Sequence, residues 1–525
     1  MITNIPSDVL SGRNVLRTDL TTFTVENLKT DLARVLPQHA YNRAQIRALQ
    51  EYLKGWHPNI NARIKTTRTD VDNKIIVNYA YSITRDIVGY FLGKPIQYTN
   101  RNGKFRKQME NFVNVLNAEN KSLVDYQIAE DCSICGVGYR GVFTDAKPRN
   151  DTKLKLLRLE PADTFVVYST NPVLPPAYAV TAYESAPSSM FGPVAPGSGI
   201  TFYKVYTPDK MFTFKDVTLN GQDPMVGGML ELVEDETKDI NFGGGLPIIE
   251  YQNNLWRLGD WETALSIMDA LDGVASDGIN DIQQAVDAVL VVLGAEMTEE
   301  IFASLSKNGF LSVSNIPAGV KPEIKFISEA MSADVGVAMR DYLEATLRVI
   351  VGVPDRKTRG GGGGDTGDAV FMRDGWQDID LVATAKEPYF IQAEREALSV
   401  MLYILGTFDE VANIKAMDID IHFNRNKTAN LQSKAQVYTG LTSGSSPLSP
   451  IDALDIAGLT NNVHDVIMRM ETFATENAAK AAEALKVSNA LTNSDPNSTA
   501  TTDKTAAPKV KAGAKATTGA DTKTA

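Results

Sequence analysis

The stretch NNLWRLGDWETALSIMDALDGVASDGINDI, residues 253–282, says most about the fold. Its apolar residues return every three or four positions. Ile267, Leu271, Val274, Gly278, Ile282 and, just beyond, Ala285 form one stripe, which predicts an amphipathic helix. From Leu258 to Ser306 there is no Lys or Arg, whereas ten Asp and Glu occur. Seven of them are Asp260, Glu262, Asp269, Asp272, Asp277, Asp281 and Asp287. A solvated helix normally mixes signs, because opposite charges four residues apart stabilise it and like charges do the reverse. A single-signed segment predicts either a working electric field or a plain acidic face.

Beyond this helix, VLVVLG (from Val289), TEEIFASLSKNG, FLSVS and EIKFIS predict a compact strand–helix–strand insert. A second helix follows, with Met339, Leu343, Leu347 and Ile350 aligned. A long helical stretch, residues 369–405, contains Pro388. AMDIDIHFNRN alternates like a strand, and LSPIDALDIAG opens a helix with Ser449 as cap and Pro450 in the first turn. Before the opening stretch, Leu28, Leu32 and Val35 form one helical stripe and Ile46, Leu49 and Leu53 another. NKIIVNYAYSITRDIVGYFLG predicts a helix with Ile76, Tyr79, Ile83 and Ile87 on one face, and KPIQYT then extends. From Tyr139 to about Ile249, short β-rich runs between Pro, Gly and Asn clusters predict an antiparallel sheet. The last forty residues hold no aromatic side chain and three large aliphatic ones, Val487, Leu491 and Val510, which predicts a disordered tail from Lys486.

At 525 residues, with 43% hydrophobic and 22% charged, the chain suits two to four globular domains. A net charge of −12 excludes a surface that coats nucleic acid, but leaves room for a small basic element. MITNIPSDVL lacks the basic and apolar regions of a secretory signal, and the longest apolar run, AVLVVLGA, is far too short to span a membrane. The protein is expected to stay in the compartment where it is made. The two cysteines lie together in DCSICGVGY, without the further ligands that a structural zinc site needs; two small residues packed on a helix is the simpler reading. His39, His57, His422 and His464 are scattered and suggest no triad.

VGVPDRKTRGGGGGDTGDAV, residues 351–370, places Arg356, Lys357 and Arg359 before Gly360, Gly361, Gly362, Gly363 and Gly364. A phosphate-binding loop needs G-x-x-x-x-G-K-[ST]; in the frame from Gly360, Asp365 replaces the second Gly and Thr366 the Lys. Gly362, Gly364 and Gly367 match a dinucleotide fingerprint by letters, but the fingerprint requires a preceding strand and a helical pattern stands there. Nucleotide chemistry is not supported, and no cofactor is expected. A floppy linker between helices is the plain alternative.

The order of these segments resembles the portal proteins of tailed bacteriophages, the family typical of long-tailed phages of Gram-positive hosts. The resemblance runs from about residue 41 to 475. LQEYLKGWHPNI and DNKIIVNYAYSITRDIVGYFLGKPIQY resemble the N-terminal helices, and EDCSICGVGYRGVFTD the helix-to-sheet passage. The opening stretch resembles the outgoing stem helix. GVPD, the glycine loop and GDAVFMRDGWQDIDL resemble the returning stem's end, the tunnel loop and the long kinked helix. IDIHFNRNKTANLQSKAQ with LSPIDALDIAG resembles the passage into the crown.

The resemblance implies an α+β portal fold. Its parts are a wing (1–255 and 369–426), stem helices (256–287 and 329–350), a small α/β clip (288–328), a tunnel loop (351–368), a helical crown (427–485) and a disordered tail (486–525). It further implies a homo-oligomeric ring, usually of twelve subunits, at one capsid vertex of the virion, assembled in the host cytoplasm. Double-stranded DNA would pass through the ring during packaging and ejection. Terminase, a head-completion adaptor and the major capsid and scaffolding proteins would be its partners, with no membrane and no enzymatic activity. On this reading the acidic stem repels the duplex, Arg356, Lys357 and Arg359 touch phosphates, and Val291 and Leu311 lie in clip strands that pair across subunits. A nucleotide-dependent enzyme, or a virion structural or adaptor protein without a channel, are the competing classes.

Overall fold

Thr24 caps the first helix, its hydroxyl accepting the Asn27 amide at 3.3 Å. The two apolar stripes expected near residues 28–35 and 46–53 both lie on this one helix, α1 (Val25–Leu53), which passes through Pro37. Leu28, Leu32, Val35 and Leu36 pack with a sheet in one core, while Ile46, Leu49 and Tyr52 belong to a second, larger core. One helix therefore ties the two cores together.

The computed structural model describes residues 12–64, 71–100, 105–144, 153–184, 200–216, 230–286, 289–293, 323–327, 333–354, 376–407, 411, 414–425, 431–443, 448–457, 459 and 463–492. Helices after α1 are α2 (Pro58–Ala62), α3 (Tyr79–Phe91), α4 (Arg106–Ala118), α5 (Lys121–Cys135), α6 (Leu265–Val286), α7 (Ala333–Val351), α8 (Trp376–Thr407), α9 (Leu431–Thr442), α10 (Pro450–Ala457) and α11 (Val463–Thr492). Strands are β1 (Leu16–Thr18), β2 (Gln97–Asn100), β3 (Val137–Thr144), β4 (Leu154–Leu159), β5 (Thr164–Ser169), β6 (Tyr178–Glu184), β7 (Thr201–Tyr206), β8 (Lys210–Asp216), β9 (Leu230–Leu232), β10 (Lys238–Asp239), β11 (Ile248–Gln252), β12 (Val289–Leu293), β13 (Glu323–Ile327) and β14 (Ile419–His422). Mixed helix and sheet is the expected class. Residues up to Asn462 form one compact unit, and α11 belongs to a second. No described helix is long and apolar enough to cross a membrane.

The β-rich middle folds as two sheets. One runs β1-β5-β6-β7-β8-β10, with β9 also on β8, and the other β11-β3-β4. Every pairing in them is antiparallel except β1, which lies parallel to β5 with Leu16 opposite Val167. β2 pairs with β14, Gln97 opposite His422, and so joins the two ends of the larger core. Ser449 accepts the Asp452 amide at 3.2 Å and caps α10, which begins at Pro450 as the sequence predicts.

Two expectations need correcting. Asn73–Asn78 is not helical; α3 starts at Tyr79, where the Asn78 side chain accepts the Tyr81 amide. The preceding residues are held extended by α6, as described below. The tail does not begin at Lys486, because α11 continues to Thr492. The Ala-rich run before it has high helix propensity and carries the helix onward. Residues 493–525 lie outside the described part.

A buried polar cluster pins α8 to the sheet. Glu394 accepts from Tyr251 (2.8 Å) and Tyr98 (2.9 Å) and pairs with Arg140 and Lys121, which both also reach Asp125. Burial pushes the Glu394 carboxyl up, but the Arg140 and Lys121 charges more than reverse this and leave it below the usual carboxylate range.

Candidate functional site

The helices flanking the insert form a hairpin. α6 leads to β12, β12 pairs antiparallel with β13 (Val291 opposite Lys325), and α7 returns against α6. Burial along the two helices is graded. At the body end, Leu265, Met268, Leu271, Leu347 and Val351 are buried in the larger core. At the far end the expected inner stripes are open. Ile282 is 68% and Tyr342 66% exposed, and Ile279, Val335, Val337 and Met339 are exposed too. The stripe on α6 is thus correct to Leu271 and half-buried at Val274, while Gly278 and Ile282 face out. On α7, Leu347 is buried and Leu343 half-buried, whereas Met339 and Ile350 are exposed. Among the described residues, the far half of α6 packs on α7 and, through Ser276 and Asn280, on residues 73–75, which leaves these apolar side chains uncovered.

The carboxylates of α6 are not a free acidic face. Asp272, Ser276 and Asn280, four residues apart, are fully buried and hold the extended segment before α3. Their side-chain oxygens accept the backbone amides of Val77 (2.8 Å), Ile75 (2.9 Å) and Asn73 (2.8 Å). Four helical residues advance about 6 Å, which nearly matches two extended residues, so alternate amides meet successive turns. Asp277 pairs with Arg63, and Glu262 with Arg13. Asp260 binds Lys386 at 2.5 Å and also accepts from Ser133 and Asn253. Asp281 is half-buried, and Asp287 lies outside the described residues. The balancing cations come from distant segments, which a local charge count cannot register.

His57 fills the join between α2 and α6. Its ring stacks on Tyr52 (centroids 3.7 Å apart, 9° between planes), Tyr52 stacks on Trp261, and Nδ1 contacts Asp272. Tyr52 and Asn59 donate to Asp269 at 2.9 and 2.5 Å. Burial raises the Asp269 carboxyl above its ordinary value, partly offset by those two donors. Among the described residues His57, Asp269 and Asp272 are the group of metal-ligating type, with ligand atoms within 4.8 Å of one another. All four carboxylate oxygens already accept a hydrogen bond or face the imidazole. These contacts tie the three side chains into one hydrogen-bond network.

At the exit of α7, Gly352 (φ +71°) ends the helix, and the next amide, Val353, reaches back to Arg348. A Cβ at Gly352 would come within 2.7 Å of Val382 on α8, so glycine is required there twice over. Arg356, Lys357, Arg359 and Gly360 to Gly364 lie outside the described residues, as does Leu311. Glu344 of α7 contacts the Tyr79 hydroxyl. Cys132 and Cys135 are buried on α5 with free thiols pushed up by burial, the inert state expected of packing residues.

The sequence reading missed His57, Arg63 and the strap at 73–78. One signal was available. Asp272, Ser276 and Asn280 repeat at helical spacing beside an apolar stripe, and polar residues on a face that must be buried require partners. A family model described as phage portal protein, SPP1 Gp6-like, matches residues 32–492. No curated protein matches the chain significantly.

Proposed function

The chain belongs to the SPP1 Gp6-like family of phage portal proteins, and we propose that its copies close into a ring, of twelve subunits, at one capsid vertex. DNA is packaged and ejected through the central hole. The observation that carries this reading is the α6–α7 hairpin, whose far halves expose apolar side chains on both helices. Exposed apolar surface of that extent on a helix pair signals burial against further protein, and side-by-side hairpins from neighbouring subunits would supply it. In this reading the hairpin is the stem, residues 288–328 with Val291 and Leu311 are the clip that meets terminase and the head-completion adaptor, and 427–485 contribute the crown.

The loop at 351–368 then faces the channel, with Arg356, Lys357 and Arg359 making transient phosphate contacts while the glycines let the backbone follow a moving duplex. A conduit must not hold DNA tightly, because each phosphate neutralised releases counterions and strengthens adhesion. Internal pairing of Asp260, Glu262, Asp272 and Asp277 leaves a weaker acidic field than their number suggests. The family is structural in character, and the reading assigns no catalysis.

Electron microscopy of the purified full chain tests the proposal. Rings with an open axial hole are expected, and their symmetry is counted in end views. Particles that stay monomeric, or that close without a hole, overturn it. Changing the three loop cations to Ala should leave rings intact and lower the salt slope of weak DNA binding by about one unit for each phosphate no longer neutralised.

A further inference from the structure

His39 of α1 stands at the seam between the two cores. Its ring packs on Phe165 of β5, with centroids 4.2 Å apart, and is 1% exposed. It borders a small cavity whose walls belong to both cores, Phe165 to one and Val166 and Tyr139 to the other. The segment leading into β1 closes one side of this space, and Glu250 of β11 with Arg257 closes another. There is room for about one water molecule.

The protonation of the ring sets what the cavity must supply. Nε2 lies 3.0 Å from Ala162 O, and a carbonyl oxygen can only accept, so Nε2 carries a proton and donates. Burial lowers the pKa of the ring to about 3, so it holds that one proton and no second. Nδ1 is therefore a bare lone pair. Among the described residues it has no hydrogen-bond partner. A buried acceptor left in that state carries the full cost of its lost hydration, which a donor removes and an apolar filling does not. The other walls can hold a small donor. Burial pushes the Tyr139 hydroxyl up and keeps it protonated. The two Glu250 oxygens accept from Arg257 and Tyr168 and each retain a lone pair. The nearby charges are balanced, Arg257 by Glu250 and Arg13 by Glu262, so the space suits a neutral ligand rather than an ion.

We propose that this cavity is a site for one ordered water, which donates to His39 Nδ1 and is held on its other side by Tyr139 and Glu250. The inference does not depend on the ring reading. A map of the full chain that shows ordered water, from crystals or from electron microscopy, should hold a peak within hydrogen-bond distance of His39 Nδ1. Absence of a peak there overturns the proposal. Urea unfolding then asks whether the water serves the histidine. Val166→Ile adds one carbon to the cavity wall. It should displace the water and raise the unfolded-to-folded ratio about tenfold, the cost of one buried acceptor without a donor. In a His39→Phe background no lone pair needs the water, and the same change should be neutral or stabilising. Equal destabilisation in both backgrounds means that the added carbon meets only packing, which overturns the proposal. So does stabilisation in the otherwise unmodified chain, the result expected of a dry cavity.

Discussion

The carboxylate of Asp272 accepts the amide of Val77 at 2.8 Å with its Oδ1 and contacts the His57 ring with its Oδ2. One buried side chain on α6 thus holds both the strap before α3 and the ring that closes α2. Replacing it tests whether the strap depends on side-chain acceptors. Asp272→Ala leaves the Val77 amide and His57 without a partner. A loss of about 1–3 kcal/mol is expected for each buried group left unsatisfied. Ser276→Ala and Asn280→Ala should each cost less. Native-state hydrogen exchange should show the amides of Asn73, Ile75 and Val77 losing protection in step with the residue replaced. Unchanged protection at Val77 in Asp272→Ala would refute the assignment.

Glu394 is fully buried between Arg140 and Lys121. Glu394→Gln keeps the shape and removes the charge, leaving two cations with Asp125 alone. Breaking one partner of a buried ionic cluster costs about 3–5 kcal/mol. The urea midpoint should fall accordingly with the slope unchanged, and a shift within error of zero would show that the cluster is not a net anchor for α8.

His39 is buried against Phe165 (ring centroids 4.2 Å apart) and bonds Ala162 O at 3.0 Å through Nε2. Burial lowers its pKa from 6.5 to about 3, so it stays neutral in the folded chain. The unfolded chain binds the extra proton first, and stability therefore falls as pH drops through the window from 6.5 to about 3. The contribution is about 1.4 kcal/mol per pH unit inside that window. Melting temperature followed from pH 6.5 to 4.5 should drop less steeply for His39→Gln than for the unmodified chain. Parallel curves would count against the buried neutral state.

Ile282 and Tyr342 are exposed on the far halves of α6 and α7. Asp at either position should leave the fold of one chain intact, because neither side chain touches a core. Assembly should suffer, since a charge would be buried between neighbours. Mass photometry with circular dichroism separates the two effects. Normal rings from Ile282→Asp would place that face outside the subunit contacts.

Much of the architecture was present in local pattern. The periodicity of 267–271, the cap at Ser449 and Pro450, the alternation at 419–422 and the change of texture after Tyr139 each depend on residues a few positions apart. So did the exclusion of a phosphate-binding loop, because Asp365 and Thr366 stand where its chemistry needs Gly and Lys. Other features joined segments far apart in the chain. Arg13 meets Glu262 and Arg63 meets Asp277 across more than two hundred residues, and an acidic run therefore became a paired, partly buried one. Residues 73–77 carry a helix-like pattern, yet the amides of Asn73, Ile75 and Val77 found acceptors on α6 and the segment stayed out of the helix. A hydrogen-bond donor takes whichever partner folding brings to it, and hydrophobic spacing carries no information about that partner. The sequence alone determined most of the helices and strands, because their signals lie within a few residues of one another. The tertiary structure decided which charges are spent inside the fold, and which apolar faces remain outside it for other molecules to cover.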